Sequence, residues 1–260
     1  MKLTVIGSSS RGNGYILQND SEALVIEAGV RLIDVKKALD FNTAKVKGCI
    51  ISHQHNDHAG FAKEYADTGM PLLALPEVIS AKRLGRTAKA IEPGKGYIFG
   101  GFKVLPFPVK HDVPCVGFLI QHEETGRILF FTDTYAMQYD FTGVNHWMIE
   151  ANYADDILNR NINKGSLHPE MKKRLHTSHM SLKNAIGILR RSDLSVTKDI
   201  LLIHLSDGNA DERRFVKEIR LATGKRTTVA KPFLQLDYRC PLSCGESYFL
   251  HKPPLVGVAV

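Results

Sequence analysis

The chain has 260 residues, 43% of them hydrophobic and 23% charged, with a formal net charge of +7 and a pI near 9.2. That length and apolar fraction predict one globular domain with a sizeable core, and the basic excess suits an anionic partner. No apolar run approaches a membrane span and the opening Met1-Lys2-Leu3-Thr4-Val5 reads as a strand, so neither membrane association nor a signal peptide is expected.

Short apolar segments predict strands over 3–6, 15–18, 23–27, 48–52, 72–74, 97–99, 102–109, 115–121, 128–132, 146–150, 200–204 and 227–235. Helices are expected over 34–39, 58–66, 76–86, 168–174, 182–191 and 211–223. Polar residues 155–165 read as a loop. Strands cluster in each half, with helices between and after them. The fold class is therefore α/β, with two packed sheets and helices outside, a four-layer αββα sandwich. Residues 1–238 form the domain, and 239–260, with Pro253-Pro254 and Gly257, form an irregular tail. Cys49 and Cys115 read as small buried residues, and Cys240 and Cys244 as loop cysteines. Without a disulfide framework a reducing cytoplasm is expected.

The segment Ser52-His53-Gln54-His55-Asn56-Asp57-His58-Ala59 follows the buried run Cys49-Ile50-Ile51. Residues two apart on an extended chain project to one side, so His53 and His55 can grip one ion. If a helix begins near Asp57, that carboxylate and His58 can face a second. Imidazole and carboxylate together suit zinc, iron or manganese. Further candidates stand at later strand ends: His111 beyond 102–109, Asp133 after 128–132, and His204 closing 200–204. Each alone would be a turn former or a surface residue; in this order they read as ligands. His122, His146, His168, His176 and His251 lack ligand spacing and read as structural or exposed.

The H-x-H-x-D-H pattern, followed in order by a histidine, an aspartate and a histidine, resembles the metallo-β-lactamase superfamily of hydrolases, over nearly the whole chain. The resemblance implies a fold of two mixed sheets flanked by helices, and two divalent metal ions (Zn, Mn or Fe). One ion would take His53, His55, His111 and Asp133; the other would take Asp57, His58, Asp133 and His204. Asp133 would bridge them. Glu27 stands where the superfamily usually has an aspartate supporting the histidine loop.

Gly7-Ser8-Ser9-Ser10-Arg11-Gly12-Asn13, Glu150-Ala151-Asn152, Ser178-His179-Met180-Ser181 and His204-Leu205-Ser206-Asp207-Gly208-Asn209 are similar to segments of the YycJ-like exonuclease branch. Ribonuclease Z enzymes carry a comparable glutamate and histidine, which implies proton transfer by Glu150 and His179. The resemblance thus implies a metal-dependent phosphodiesterase, an exonuclease-like nuclease acting on DNA or RNA by two-metal hydroxide attack. Asp57, Asp133, His179 and Glu150 would be catalytic. Candidate substrate contacts are Ser10 and Asn13 in the Gly-rich turn, Lys172, Lys173 and Arg174 ahead of His179, and Ser181. Two alternatives remain open from sequence: a small-molecule metallohydrolase acting on a thioester, lactone or cyclic phosphodiester, and a non-catalytic, metal-stabilised nucleic-acid-processing partner. No zinc-finger, RNA-recognition or helix-turn-helix signature is visible, so base-specific recognition is not indicated.

Overall fold

The computed structural model describes residues 1–239 and the backbone of 255–257; the expected irregular tail, with Cys240 and Cys244, lies otherwise outside the described residues. Strands β1 (Lys2–Ser9), β2 (Gly12–Gln18), β3 (Ala23–Ile26), β4 (Val46–Ile50), β5 (Leu72–Ala74) and β6 (Ala88–Ala90) build the first sheet. The second holds β7 (Tyr97–Phe99), β8 (Phe102–Val109), β9 (Cys115–His122) and β10 (Gly126–Phe131). After the short β11 (Tyr139–Phe141), it continues with β12 (His146–Glu150), β13 (Asp199–Ile203) and β14 (Arg226–Val229). Then β15 (Gln235–Asp237) returns to the first sheet, and β16 (Leu255–Gly257) pairs with β11. The helices are α1 (Leu32–Ala38), α2 (Asn56–Ala59), α3 (Ala62–Asp67), α4 (Pro76–Lys82), α5 (Asp155–Asn163), α6 (Pro169–Ser178), α7 (Leu182–Arg191) and α8 (Glu212–Thr223).

Each main sheet has seven strands, in the orders β15-β1-β2-β3-β4-β5-β6 and β14-β13-β12-β10-β9-β8-β7. Both are mixed. In the first, β15 to β3 are antiparallel and β3 to β6 parallel; in the second, β7 to β10 are antiparallel and β10 to β14 parallel.

Successive strand residues face opposite ways, and the central strands of the second sheet are apolar on both faces. Ile128 and Phe130 of β10, Met148 of β12, and Leu201 and Ile203 of β13 enter the core shared with the first sheet. The alternate residues Leu129, Phe131, Trp147, Ile149, Ile200 and Leu202 enter a second core. There they meet Ala185 and Leu189 of α7 and Phe215 and Ile219 of α8. This double burial makes the expected four layers and accounts for the unbroken apolar runs in the sequence.

Several elements differ from the expectation. Residues 155–163 form α5 rather than a loop: Leu158 and Ile162 pack with Tyr153, Leu167 and Leu175 in a small satellite core. Asp155 and Asp156 sit in its first turn, where carboxylates favour the helix dipole. The single helix expected over 58–66 is two, because the chain bends at Gly60 and the Phe61 N–H donates to the Ala28 carbonyl at 2.9 Å. The helix expected over 76–86 stops at Lys82, where Arg83 turns left-handed at φ 53°. The strand expected over 227–235 divides, since Pro232 has no N–H and Phe233 donates to Val5 at 2.7 Å, carrying the chain to the other sheet. Among the described residues no helix is long and apolar enough to cross a membrane.

At the end of the sandwich remote from the histidine motif, Glu22 accepts from the Gly101 N–H at 2.8 Å and lies 2.9 Å from His122 Nε2. It thereby ties the start of β3 to the β7–β8 turn across the two sheets. Burial works to raise its pKa, but the Gly101 N–H and His122 outweigh burial and hold the carboxyl below its usual value. Such a group adds stability above its unfolded-state pKa and loses it as pH falls through the lower folded-state value. Glu22→Gln should therefore lower the Tm by about 2–4 °C at pH 7, and the gap from wild type should close as the pH falls through the lowered folded-state value. Thermal melts of both proteins across that range check this.

Candidate metal centre

The histidine motif is delivered by β4. Beyond Ile50 the chain stays fully buried through Ile51, Ser52 and His53, then turns at His55 into α2. His53 and His55 come from the extended part, and Asp57 and His58 from the helical turn. His111 follows β8, Asp133 follows β10, Glu150 ends β12 and His204 follows β13. The strand ends of both sheets thus point their side chains at one crevice, as open α/β sheets do at the carboxyl ends of parallel strands.

Asp133 lies at the centre. Its Oδ2 is 3.7 Å from His53 Nε2 and 3.8 Å from His111 Nε2, while His111 Nε2 is 3.2 Å from His55 Nδ1. Its Oδ1 is 3.4 Å from His58 Nε2 and 3.5 Å from His204 Nδ1. Asp57 Oδ2 closes this second group, 3.2 Å from His58 Nε2 and 3.1 Å from His204 Nε2. In each four-residue set the donor atoms lie within 4.8 Å of one another. Donors about an ion at roughly 2.0–2.1 Å in tetrahedral geometry stand roughly 3.3–3.4 Å apart, so both groups are spaced for a cation.

The hydrogen bonds prepare lone pairs for it. His111 Nδ1 donates to the Ser178 carbonyl at 3.0 Å, which leaves Nε2 as an acceptor facing the crevice. His53 Nδ1 is 2.9 Å from Ser52 Oγ, and its buried Nε2 has no hydrogen-bond partner among the described residues. A buried imidazole nitrogen with nothing to bond is costly unless an ion takes its lone pair. Glu27 stands behind His58, with Oε1 3.5 Å from Nδ1 and Oε2 accepting from the Ser52 N–H at 3.3 Å. The substituted glutamate therefore still reaches the histidine loop. Asp112 adds a half-exposed carboxylate 3.0 Å from His111 Nε2.

Glu27, Asp133 and His204 all hold positive φ, at 67°, 49° and 53°. Non-glycine residues in that region cost about 1 kcal/mol or more and cluster at functional sites. Here each sharp turn lets a strand end aim its side chain back into the crevice. The Thr132 hydroxyl donates to Asp133 Oδ1 at 2.7 Å, and the Ser8 hydroxyl accepts from the His204 N–H at 2.9 Å.

Charge balance in the crevice is coupled. Burial drives the His53 and His111 imidazoles down, toward the neutral form that binds metal. Burial also works against protonated His58 and His204, but Asp133 and the other carboxylates outweigh it. His58 ends well above its ordinary value and His204 is pushed up to about 10. Asp133 itself would be raised by burial, but His204 and His58 hold it well below the carboxylate range.

A third group joins Asp133 and His204 to Glu150 and His179. Glu150 is fully buried. Its Oε1 lies 2.7 Å from His179 Nδ1, and its Oε2 accepts from the Thr134 and Met180 N–H groups at 3.2 and 3.1 Å. His179 caps the end of α6 and stacks on His204, with ring centroids 5.4 Å apart. Burial alone would lower its pKa, but Glu150 and Asp133 raise it.

The candidate substrate contacts are not gathered together. Asn13 is buried, and its amide donates to the Ser9 and Asp57 carbonyls at 3.0 and 3.1 Å, bracing the metal loop. Ser181 is buried as the N-cap of α7 and accepts from the Asn184 N–H at 3.1 Å. Ser10 is exposed at the β1–β2 turn. Lys173 and Arg174 are exposed and Lys172 half-buried on α6, which leads directly to His179. Sequence alone gives Asn152, whose amide donates to the His204 carbonyl at 2.8 Å, no role of its own, and Ser8, expected in a phosphate-facing loop, instead accepts from His204. The short motifs around them were the only signal.

The sequence pattern of the "Beta-lactamase superfamily domain" matches residues 25–205. The chain is 26% identical over 229 residues to exodeoxyribonuclease WalJ of Streptococcus pneumoniae, covering 80% of this chain and 82% of that protein. It is 25% identical over 237 residues to exodeoxyribonuclease YycJ of Bacillus anthracis, covering 82% and 85%. Among solved structures, the metallo-β-lactamase fold protein YhfI of Bacillus subtilis superposes with a TM-score of 0.71 at 18% identity, over 91% of this chain and 99% of that one.

Metal uptake should stabilise the fold and be coupled to proton release. Added zinc or manganese should raise the Tm of chelator-stripped protein, by the equivalent of about 2.7 kcal/mol at a hundredfold excess over Kd. The rise should shrink from pH 8 to pH 6, because protons on His58 and His204 compete with the ion. In Asp133→Asn most of the rise should vanish, as melting curves with and without metal will show.

Proposed function

The chain belongs to the beta-lactamase superfamily, and from that membership and the geometry above we propose that it is a two-metal phosphodiesterase, a nuclease of exonuclease type acting on DNA or RNA. The observation that carries this reading is Asp133, whose two oxygens face two separate donor sets. The relatives named as exodeoxyribonucleases support a phosphodiester substrate. An aspartate rather than a cysteine at the bridging position agrees with the phosphodiesterase and thioesterase branches of the resemblance alike.

His53, His55, His111 and Asp133 would hold one cation, and Asp57, His58, Asp133 and His204 the other. Zinc, manganese and iron all suit this nitrogen and oxygen set. Two such ions, when bound, supply positive charge for the phosphate oxygens and acidify water toward neutrality. The chain's own residues do the rest. Asp133 fixes the relative position of the two sites. Asp57, held by His58 and His204, keeps an anionic oxygen in the crevice at neutral pH. Glu150 orients His179 through Nδ1, leaving Nε2 to carry a proton to the departing oxygen. Lys172, Lys173 and Arg174 provide cations on the helix that ends at His179, where phosphates flanking the cleaved bond would pass. The buried free thiols Cys49 and Cys115 are consistent with a cytoplasmic protein.

End-labelled single- and double-stranded DNA and RNA, incubated with zinc- or manganese-loaded protein, test the assignment. A ladder shortening progressively from one end is expected. Turnover only of thioesters, lactones or cyclic phosphodiesters would replace the nuclease reading with the small-molecule one. His179→Ala should lower kcat by roughly a hundredfold or more while metal content stays at the wild-type level. Asp133→Ala should abolish turnover and leave the circular dichroism spectrum native-like.

A further inference from the structure

A cavity of about 750 Å³ is lined by residues that touch the ligands of the second donor set, though by none of those four side chains themselves. The Ser8 hydroxyl that accepts from His204 lines it, as do Leu205 and Ser206 immediately after that histidine. Gly29 lines it too, and packs so closely on the metal loop that a Cβ would lie 1.7 Å from the Asp57 carbonyl oxygen. The cavity therefore lies one residue away from the crevice, and its volume suits a small organic group.

The lining limits what that group is. Three cations border the cavity, and each is matched by a carboxylate of the same wall. Arg11 pairs with Asp207 at 2.6 Å, Arg31 with Asp34 at 3.1 Å and Lys231 with Glu212 at 2.7 Å. Among the described residues the lining has no surplus positive charge for a phosphate, which would gain far more beside cations bound in the crevice. The cavity instead offers hydroxyls from Ser9 and Ser206 beside the apolar surfaces of Val30, Phe61 and Ala210. That mixture fits a neutral, flat, hydrogen-bonding group carried next to a phosphate.

Resting on the nuclease reading above, we propose that this cavity is the nucleoside subsite. It receives the base and sugar of the nucleotide attached to the scissile phosphate, with Phe61 offering a face to the base. Base identity is read weakly there, because stacking accepts every base.

Calorimetric titration of the zinc-loaded protein with dAMP and, separately, with inorganic phosphate tests this without requiring turnover. dAMP should bind at least tenfold more tightly than phosphate. In Ala210→Trp, which fills the cavity, and in Phe61→Leu, which keeps an apolar side chain but removes the ring, the margin should narrow to threefold or less. Equal affinities in the wild type, or a margin that survives both substitutions, would overturn the subsite. Nucleic-acid digestion by the wild type is scored separately. Digestion without the margin removes the subsite and leaves the nuclease; the margin without digestion keeps a nucleotide subsite and removes the nuclease.

Discussion

Everything at the working end of this molecule is arranged around the Asp133 carboxylate, buried among imidazoles from both sheets. A buried carboxylate needs compensating charge. Glu27 and Glu150 are buried in the same region, so the shortage is shared. In the bare protein, protons on His58 and His204 supply it. Divalent cations would supply it better, and would engage His53 Nε2, which otherwise faces the site without a partner among the described residues. The crevice is thus built for an occupant heavier than hydrogen, and its protonated form is a substitute.

The scaffold explains why this arrangement is possible. The second sheet is buried on both faces, so β10, β12 and β13 cannot slip in register without turning one core's side chains into the other. Asp133, Glu150 and His204 ride on the ends of those fixed strands. The left-handed turns at Glu27, Asp133 and His204 then redirect the chain sharply where it leaves the sheet. Rigid strands with strained ends give a well-defined site at modest local cost.

Much of this was legible in the sequence, for identifiable reasons. His53, His55, Asp57 and His58 lie within six positions, so their meeting is a local matter of strand and turn. His111, Asp133 and His204 are distant, yet each follows an apolar run, and strand ends in a layered fold converge. The pairing of Glu150 with His179 had no local signal and came only through resemblance; the 2.7 Å contact now gives it a physical basis. Helix α5 was not legible because only three of its nine residues, Ile157, Leu158 and Ile162, are apolar among Asp, Asn and Arg. The cavity beside His204 was invisible for the opposite reason. Its walls come from five separated stretches of chain, each unremarkable alone.

The two donor sets draw ligands from both halves of the sandwich: His53, His55, Asp57 and His58 from the first sheet, and His111, Asp133 and His204 from the second. A cation bound by either set would act as a rivet across the seam. Withdrawal of metal would free the halves to part at that edge first, exposing strand ends to proteases. The lifetime of the protein in a cell would then follow the supply of metal, so that starvation removes the enzyme as well as its activity.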